Sequence, residues 1–108
     1  MDLALSIDIG GSKIAVGLVT RQGELIDRTQ FVVNAQDSSD ELFEDLSRAV
    51  DAQLSRAVDH HGVRPSVVGV GSAVPITSNV ETISPLNIPQ WRGFELRHRL
   101  ETLTGLPV

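Results

Sequence analysis

The sequence predicts an α/β fold with a mixed sheet, in which an antiparallel meander of three strands precedes a βαβ crossover. Three observations predict it. Short apolar segments near the N-terminus are separated by glycine-containing turns. A long segment with helical periodicity follows them, and a continuous apolar run comes directly after that segment. The chain has 108 residues, which suits one small domain.

The three strands of the predicted meander are short and follow one another closely. Residues 3–9 are apolar and stop at a Gly-Gly turn, and residues 13–20 repeat the pattern at once. A Gln-Gly pair then provides a second turn before a third strand over residues 24–33. The length of these runs and the glycines that end them favour strands over helices.

A helix of about 22 residues is predicted after Ser38, which is long for globular proteins. Ser38 and Glu41 have the spacing of a capping box, in which each side chain bonds the backbone amide of the other residue. Apolar residues then recur every three or four positions, and Gly62 ends the pattern as a helix-terminating glycine. The apolar run at residues 66–71 has the composition of a strand buried on both faces.

The last part of the chain is predicted to begin irregularly and to end in a second helix. Residues 73–93 carry several prolines, and segments of this length without regular structure are usually functional or disordered. The second helix is predicted over residues 94–104, with Gly105 closing it. Residues 106–108 have the pattern of a strand that is beginning.

Composition excludes several classes of function. Nine basic residues against 14 acidic ones give a net charge of −5, which argues against sequence-independent binding of nucleic acid. The absence of cysteine excludes disulfides and thiolate metal sites. No apolar run approaches the ~18–20 residues of a membrane span, and no secretion signal is recognisable at the N-terminus. We therefore expect a cytoplasmic protein with no nucleic-acid or membrane partner.

The turn after the first strand carries the chemistry of an anion site. Gly10 and Gly11 allow backbone amides to approach a phosphate without a Cβ in the way. Ser12 offers a hydroxyl and Lys13 a positive charge, while Asp8 could hold the hydration shell of a Mg²⁺ ion. The alternative is a hairpin whose glycines serve the turn alone, and these residues by themselves leave both interpretations open.

Several segments together resemble the ROK family, a group of repressors, open reading frames and sugar kinases. Residues 8–13, Asp-Ile-Gly-Gly-Ser-Lys, resemble its first phosphate motif, D-x-G-G-T-K. Gly69-Val70-Gly71 resembles the sugar-side loop of the family. Residues 84–91, the helix after them and residues 105–108 resemble the series A-P-N-L-P-G-W, helix, G-x-P-V. The order and spacing agree over essentially the whole chain.

The resemblance implies an ATP-dependent sugar kinase and the N-terminal lobe of the actin-like, ribonuclease H-like fold. It implies that Asp8, Gly10, Gly11, Ser12 and Lys13 bind the phosphates of ATP, with Asp8 near Mg²⁺. Small-molecule sugar and nucleotide are then the partners, and we expect the full-length protein to be a homo-oligomer.

The resemblance also implies a sugar site that includes Gly71, Ser72, Glu81 and Asn87. The amide of Asn87 can donate to and accept from sugar hydroxyls, although an Asn in a loop commonly forms a local turn instead. Ser12 replaces the threonine of the family motif and keeps its hydroxyl. Residues 71–74, Gly-Ser-Ala-Val, depart from the usual Gly-x-Pro-Gly. The expected substrate is therefore a hexose or an N-acetylhexosamine, and glucose is not singled out.

We also expect the 108 residues to be part of a longer protein. The catalytic aspartate of the family lies in an N-D-A-N-like segment after the strand that would begin near Val108, so no catalytic residue is expected within this chain. The chain alone would then be inactive. The alternatives are a non-catalytic sugar-binding or regulatory member of the family and a truncated product that binds ligand without turnover.

Overall fold

The computed structural model describes residues 2–10, 12–34, 36–72 and 95–108, which form a four-stranded sheet and two helices. The strands are β1 (Leu3–Ile9), β2 (Lys13–Thr20), β3 (Leu25–Val32) and β4 (Val67–Ser72), and the helices are α1 (Ser39–His61) and α2 (Leu96–Thr104). The sheet order is β3-β2-β1-β4, with β4 parallel to β1 and the other pairs antiparallel. The predicted meander and crossover are confirmed.

The two faces of this sheet differ in burial. Alternate residues of β1, from Leu3 to Ile9, are at most 2% exposed and form the core with α1. The intervening residues of β1 point to the opposite face, which no helix among the described residues covers. We call it the open face. The cross-strand register gives it Ala4, Ser6, Asp8, Lys13, Ala15, Gly17, Val19, Val67, Gly69 and Gly71.

Helix α1 begins and ends as its sequence predicts. The Ser38 hydroxyl accepts a hydrogen bond from the Glu41 amide, and the Glu41 carboxylate accepts one from the Ser38 amide. At the other end Gly62 has a left-handed φ of 69°, and its amide bonds the carbonyls of the last turn. The apolar stripe between these caps, including Leu42, Leu46 and Val50, is buried against the sheet.

A polar cluster ties the edge strand β3 to α1. The buried Gln53 amide donates to the Thr29 hydroxyl at 2.7 Å, and the Arg56 guanidinium bonds both Thr29 and Asp27. Burial raises the pKa of Asp27, but the Arg28 amide and the Arg56 guanidinium outweigh it and hold that pKa below its ordinary value. Ionised Asp27 therefore stabilises the fold at pH values above that ordinary value, and the contribution is lost as the pH falls.

Helix α2 is shorter than predicted and packs beside α1. It begins at Leu96 with Glu95 as its N-cap, whereas the sequence predicted a start at Phe94, which lies outside the described residues. The Arg99 guanidinium lies 4.5 Å from the centre of the Phe43 ring and bonds the Asp40 carboxylate at 2.7 Å. Neither described helix combines the length and the apolar character needed to cross a membrane.

Strand β4 does not have the burial that its sequence predicts. Val68 is buried on the α1 side, but Val67 is 41% exposed and Gly69 and Gly71 are exposed on the open face. The prediction of a strand buried on both faces is therefore wrong for the described residues, because both described helices contribute to the core on one side of the sheet. Along its outer edge the Val68 amide donates to the Pro107 carbonyl at 2.8 Å.

Candidate functional site

Residues 10–13 connect β1 to β2 and include the first residue of β2. Two backbone hydrogen bonds hold this connection, and we call it the glycine turn. The Gly10 amide donates to the Lys13 carbonyl at 2.9 Å, and the Val33 amide donates to the Ser12 carbonyl at 2.8 Å. A Cβ at Gly10 would lie 3.0 Å from the Lys13 carbonyl oxygen, so the closeness of the turn itself favours glycine there. Two carbonyl oxygens of the turn are thus bonded to neighbouring backbone amides.

The charged and polar side chains in and beside this turn reach solvent at one end of the sheet. Asp8 lies one residue before the end of β1 and is exposed, as are Ser12 and Lys13. The register places Asp8 and Lys13 on the same face of the sheet. A carboxylate and an ammonium group beside a glycine-containing turn can together take up a metal-bound polyphosphate.

The parallel pairing of β1 with β4 brings the predicted sugar loop to the same edge. Asp8 is the register partner of Gly71, and Ile9 is the partner of Ser72. Since both strands run in the same direction, β1 and β4 end at the same edge of the sheet. Ligands of open α/β sheets commonly bind beyond these carboxyl ends.

Gly71 leaves space beside Asp8. A Cβ built at Gly71 or at Gly69 meets no atom of the described residues within 4 Å, and neither glycine has a positive φ. Within the described residues, neither crowding nor backbone conformation therefore requires glycine at these two positions. The space they leave lies on the open face, next to the carboxylate of Asp8.

Three of the predicted site residues lie outside the described residues, namely Gly11, Glu81 and Asn87. For Ser72 the structure describes the backbone and not the side chain. The structure therefore brings together Asp8, the described part of the glycine turn and the end of β4. Sequence reasoning missed the amide of Val33, because a backbone donor leaves no signal in residue type.

A Mg²⁺ site at Asp8 is compatible with the described geometry. No group of three or more His, Asp or Glu side chains that could hold a metal ion occurs among the described residues. Mg²⁺ often keeps several waters and is bound by one or two carboxylates together with substrate phosphates. A single exposed carboxylate beside an anion-binding turn fits that mode of binding, whereas it would not fit a site formed by the protein alone.

Comparison with known proteins gives consistent matches along the chain. The model of the ROK family matches residues 4–108. A glucokinase of Halalkalibacterium halodurans is 31% identical over 107 residues, which cover 96% of the chain and 31% of that protein. An N-acetylmannosamine kinase of Escherichia coli is 29% identical over 103 residues, covering 95% of the chain and 33% of that protein.

A solved structure of the same family has a similar fold. The ROK family glucokinase from Streptomyces griseus, in complex with glucose and AMPPNP, superposes with a TM-score of 0.72 at 27% identity. The superposition covers 98% of this chain and 31% of that one. The predicted actin-like ATPase fold is confirmed by this likeness. The chain spans roughly a third of the length of each of these three relatives.

Proposed function

The chain belongs to the ROK family, and from this premise we propose that the polypeptide containing it is an ATP-dependent sugar kinase acting on a hexose or an N-acetylhexosamine. The observation that carries the proposal is the pairing of Asp8 with Gly71, which brings the end of β4, the predicted sugar-side segment, beside the end of β1 and the glycine turn. Phosphoryl transfer needs a phosphate donor and a hydroxyl acceptor held in line, and two adjacent loops on parallel strands can supply those two positions.

In this proposal the glycine turn holds the phosphates of ATP. Backbone amides, the Ser12 hydroxyl and the Lys13 ammonium group would bind phosphate oxygens. Asp8 would hold Mg²⁺ through its water shell, since a single carboxylate leaves the other positions to water and phosphate. The bound ion would neutralise charge that develops on the phosphate oxygens during transfer. The exposure of Asp8, Ser12 and Lys13 supports these roles.

The sugar would bind against Gly71 and Ser72, with Glu81 and Asn87 contributing from the segment after β4. The space that Gly71 leaves beside Asp8 supports a ligand approaching the backbone closely at that point. The relatives include a glucokinase and an N-acetylmannosamine kinase at nearly equal identity. We therefore propose the substrate class, a hexose or N-acetylhexosamine, and no single sugar.

The reaction moves one phosphoryl group and one proton. A bond forms between the sugar hydroxyl oxygen and the γ-phosphorus, the bond from that phosphorus to the ADP oxygen breaks, and the hydroxyl proton passes to a general base. We propose that this base comes from outside residues 1–108, as the family resemblance implies. The residues of this chain bind and orient the two substrates.

A coupled assay of ADP release tests the proposed function. The complete polypeptide is incubated with ATP, Mg²⁺ and a panel of hexoses and N-acetylhexosamines, and the 108-residue chain is assayed beside it. We expect sugar-dependent turnover from the complete polypeptide and none from the 108-residue chain. Sugar binding by calorimetry without turnover would instead support a regulatory protein and would refute the kinase proposal.

Replacing Asn87 by alanine in the complete polypeptide is expected to weaken sugar binding. A sugar hydroxyl would lose a directional hydrogen-bond partner, at a cost of about 1–3 kcal/mol. Isothermal calorimetry measures the change, with Asn79→Ala as a control for loss of an amide elsewhere in the same segment. An unchanged sugar Kd for Asn87→Ala would refute the contact with the sugar and would favour a role of Asn87 in a local turn.

A further inference from the structure

The end of β3 is bonded directly to the glycine turn. Val33 follows the last residue of β3, and its amide donates to the Ser12 carbonyl at 2.8 Å. The ladder between β2 and β3 leads up to this bond, since Lys13 pairs with Val32 and Ile14 with Phe31. The Val33 side chain is half-buried and packs against the core.

This bond fixes an orientation that the turn's own sequence leaves free. Glycine residues place few conformational limits on a turn, so its peptide planes need external restraint. A hydrogen bond to the Ser12 carbonyl sets the plane of the peptide between Ser12 and Lys13, and with it the direction of the Lys13 amide. It also engages a carbonyl oxygen, whose partial negative charge would otherwise be free to turn toward a phosphate and repel it.

The donor is itself held in place by the connection to α1. The Asn34 side-chain oxygen accepts a hydrogen bond from the Gln36 amide at 2.9 Å. The Asn34 carbonyl accepts one from the Asp37 amide at 3.0 Å. Ser38, the next residue, is the N-cap of α1. Hydrogen bonds at Val33 and at the next residue, Asn34, therefore connect the glycine turn to the segment that leads into the long helix.

We propose that the backbone amide of Val33 is a positioning group for phosphoryl transfer: it holds the glycine turn in the orientation that binds the phosphates of ATP. This inference rests on the proposed sugar-kinase function. Val33 acts through Ser12 and does not itself touch the substrate. Because a misplacement of about 1 Å in a phosphate-binding group is costly to catalysis, loss of one backbone donor should be measurable.

The test compares Val33→Pro with Val33→Ala in the complete polypeptide. Proline removes the amide donor, whereas alanine keeps the donor and removes most of the side-chain packing. We expect Val33→Pro to raise KM for ATP on the order of tenfold relative to Val33→Ala. The Kd for the sugar, measured without nucleotide, should agree between the two variants. A purely structural defect would lower the active fraction, and hence kcat, without changing KM for ATP.

Where proline prevents folding, incorporation of the α-hydroxy acid analogue of valine at position 33 replaces the amide by an ester and keeps the side chain. The same rise in KM for ATP is expected from that replacement. If proline or ester variants match Val33→Ala in KM for ATP while the unsubstituted polypeptide is active, the positioning role is refuted and the proposed function stands. If the unsubstituted polypeptide phosphorylates no sugar, both proposals fail.

Discussion

Replacing Asp8 by asparagine in the complete polypeptide is expected to lower kcat on the order of 100-fold, because charge stabilisation at the transferring phosphoryl group is the main contribution to such catalysis. The substitution keeps the size of the side chain and removes the negative charge proposed to hold Mg²⁺. Asp8 is exposed, so the stability of the fold should change little. Steady-state kinetics at saturating sugar measures kcat, and calorimetry of the sugar alone should give an unchanged Kd.

Asp2→Asn is the matched control for this prediction. Asp2 is also exposed, lies at the opposite end of β1 and pairs with Arg21 at 3.6 Å. The substitution Asp2→Asn therefore removes the same charge at a distance from the glycine turn. The kcat of this variant should equal that of the unsubstituted polypeptide. A near-normal kcat in Asp8→Asn would refute the role of Asp8 in phosphoryl transfer and would favour the alternative that the glycine turn only connects two strands.

Replacing Gly17 by alanine is expected to destabilise the 108-residue chain by about 3 kcal/mol, the upper part of the usual cost of overpacking. A Cβ at Gly17 would lie 2.9 Å from the Asp27 carbonyl oxygen and 2.8 Å from a terminal methyl of Leu25. The Leu25 side chain can move, but the carbonyl belongs to the paired backbone of β3. Gly17 pairs with Arg28, and the ladder shifts its register one position further on, between Leu18 and Val19.

Gly69→Ala is the control, since it adds the same methyl group on the same face of the sheet. A Cβ at Gly69 meets no described atom within 4 Å, and the position does not require a positive φ. Its unfolding free energy should be unchanged or higher by about 0.5 kcal/mol, because alanine restricts the unfolded chain. Urea denaturation followed by circular dichroism gives both values. Equal urea midpoints for Gly17→Ala and Gly69→Ala would contradict the prediction, because they would show that β3 accommodates the added methyl group without loss of stability.

Part of the candidate site could be predicted from the sequence because its residues are neighbours along the chain. The predicted phosphate-binding residues lie within the six consecutive positions 8–13, so their chemistry is visible without a fold. The adjacency of Asp8 to Gly71 depends on the register of two parallel strands that β2, β3 and α1 separate along the chain. The element order predicted the crossover between these strands but not their register. The contact of Val33 with Ser12 had no sequence signal, because a backbone amide is common to nearly every residue type.

The sequence by itself determined the local elements of this protein. The bounds of β1 and β2, the capping box at Ser38 and the left-handed glycine at Gly62 follow from patterns within a few residues. Such features depend on short-range backbone geometry and on the spacing of apolar side chains, so no distant segment is needed to specify them.

Only the tertiary structure decided which side of each element is covered. The apolar run of β4 looks buried on both faces, yet both described helices contribute to the core on one side, and Val67 and Gly69 are left exposed on the other. The need for glycine at position 17 likewise comes from another element, the backbone of β3, which lies too close for a Cβ. Sidedness and register arise from hydrogen bonds between segments far apart in sequence, and a one-residue change in pairing would alter both without changing any local pattern.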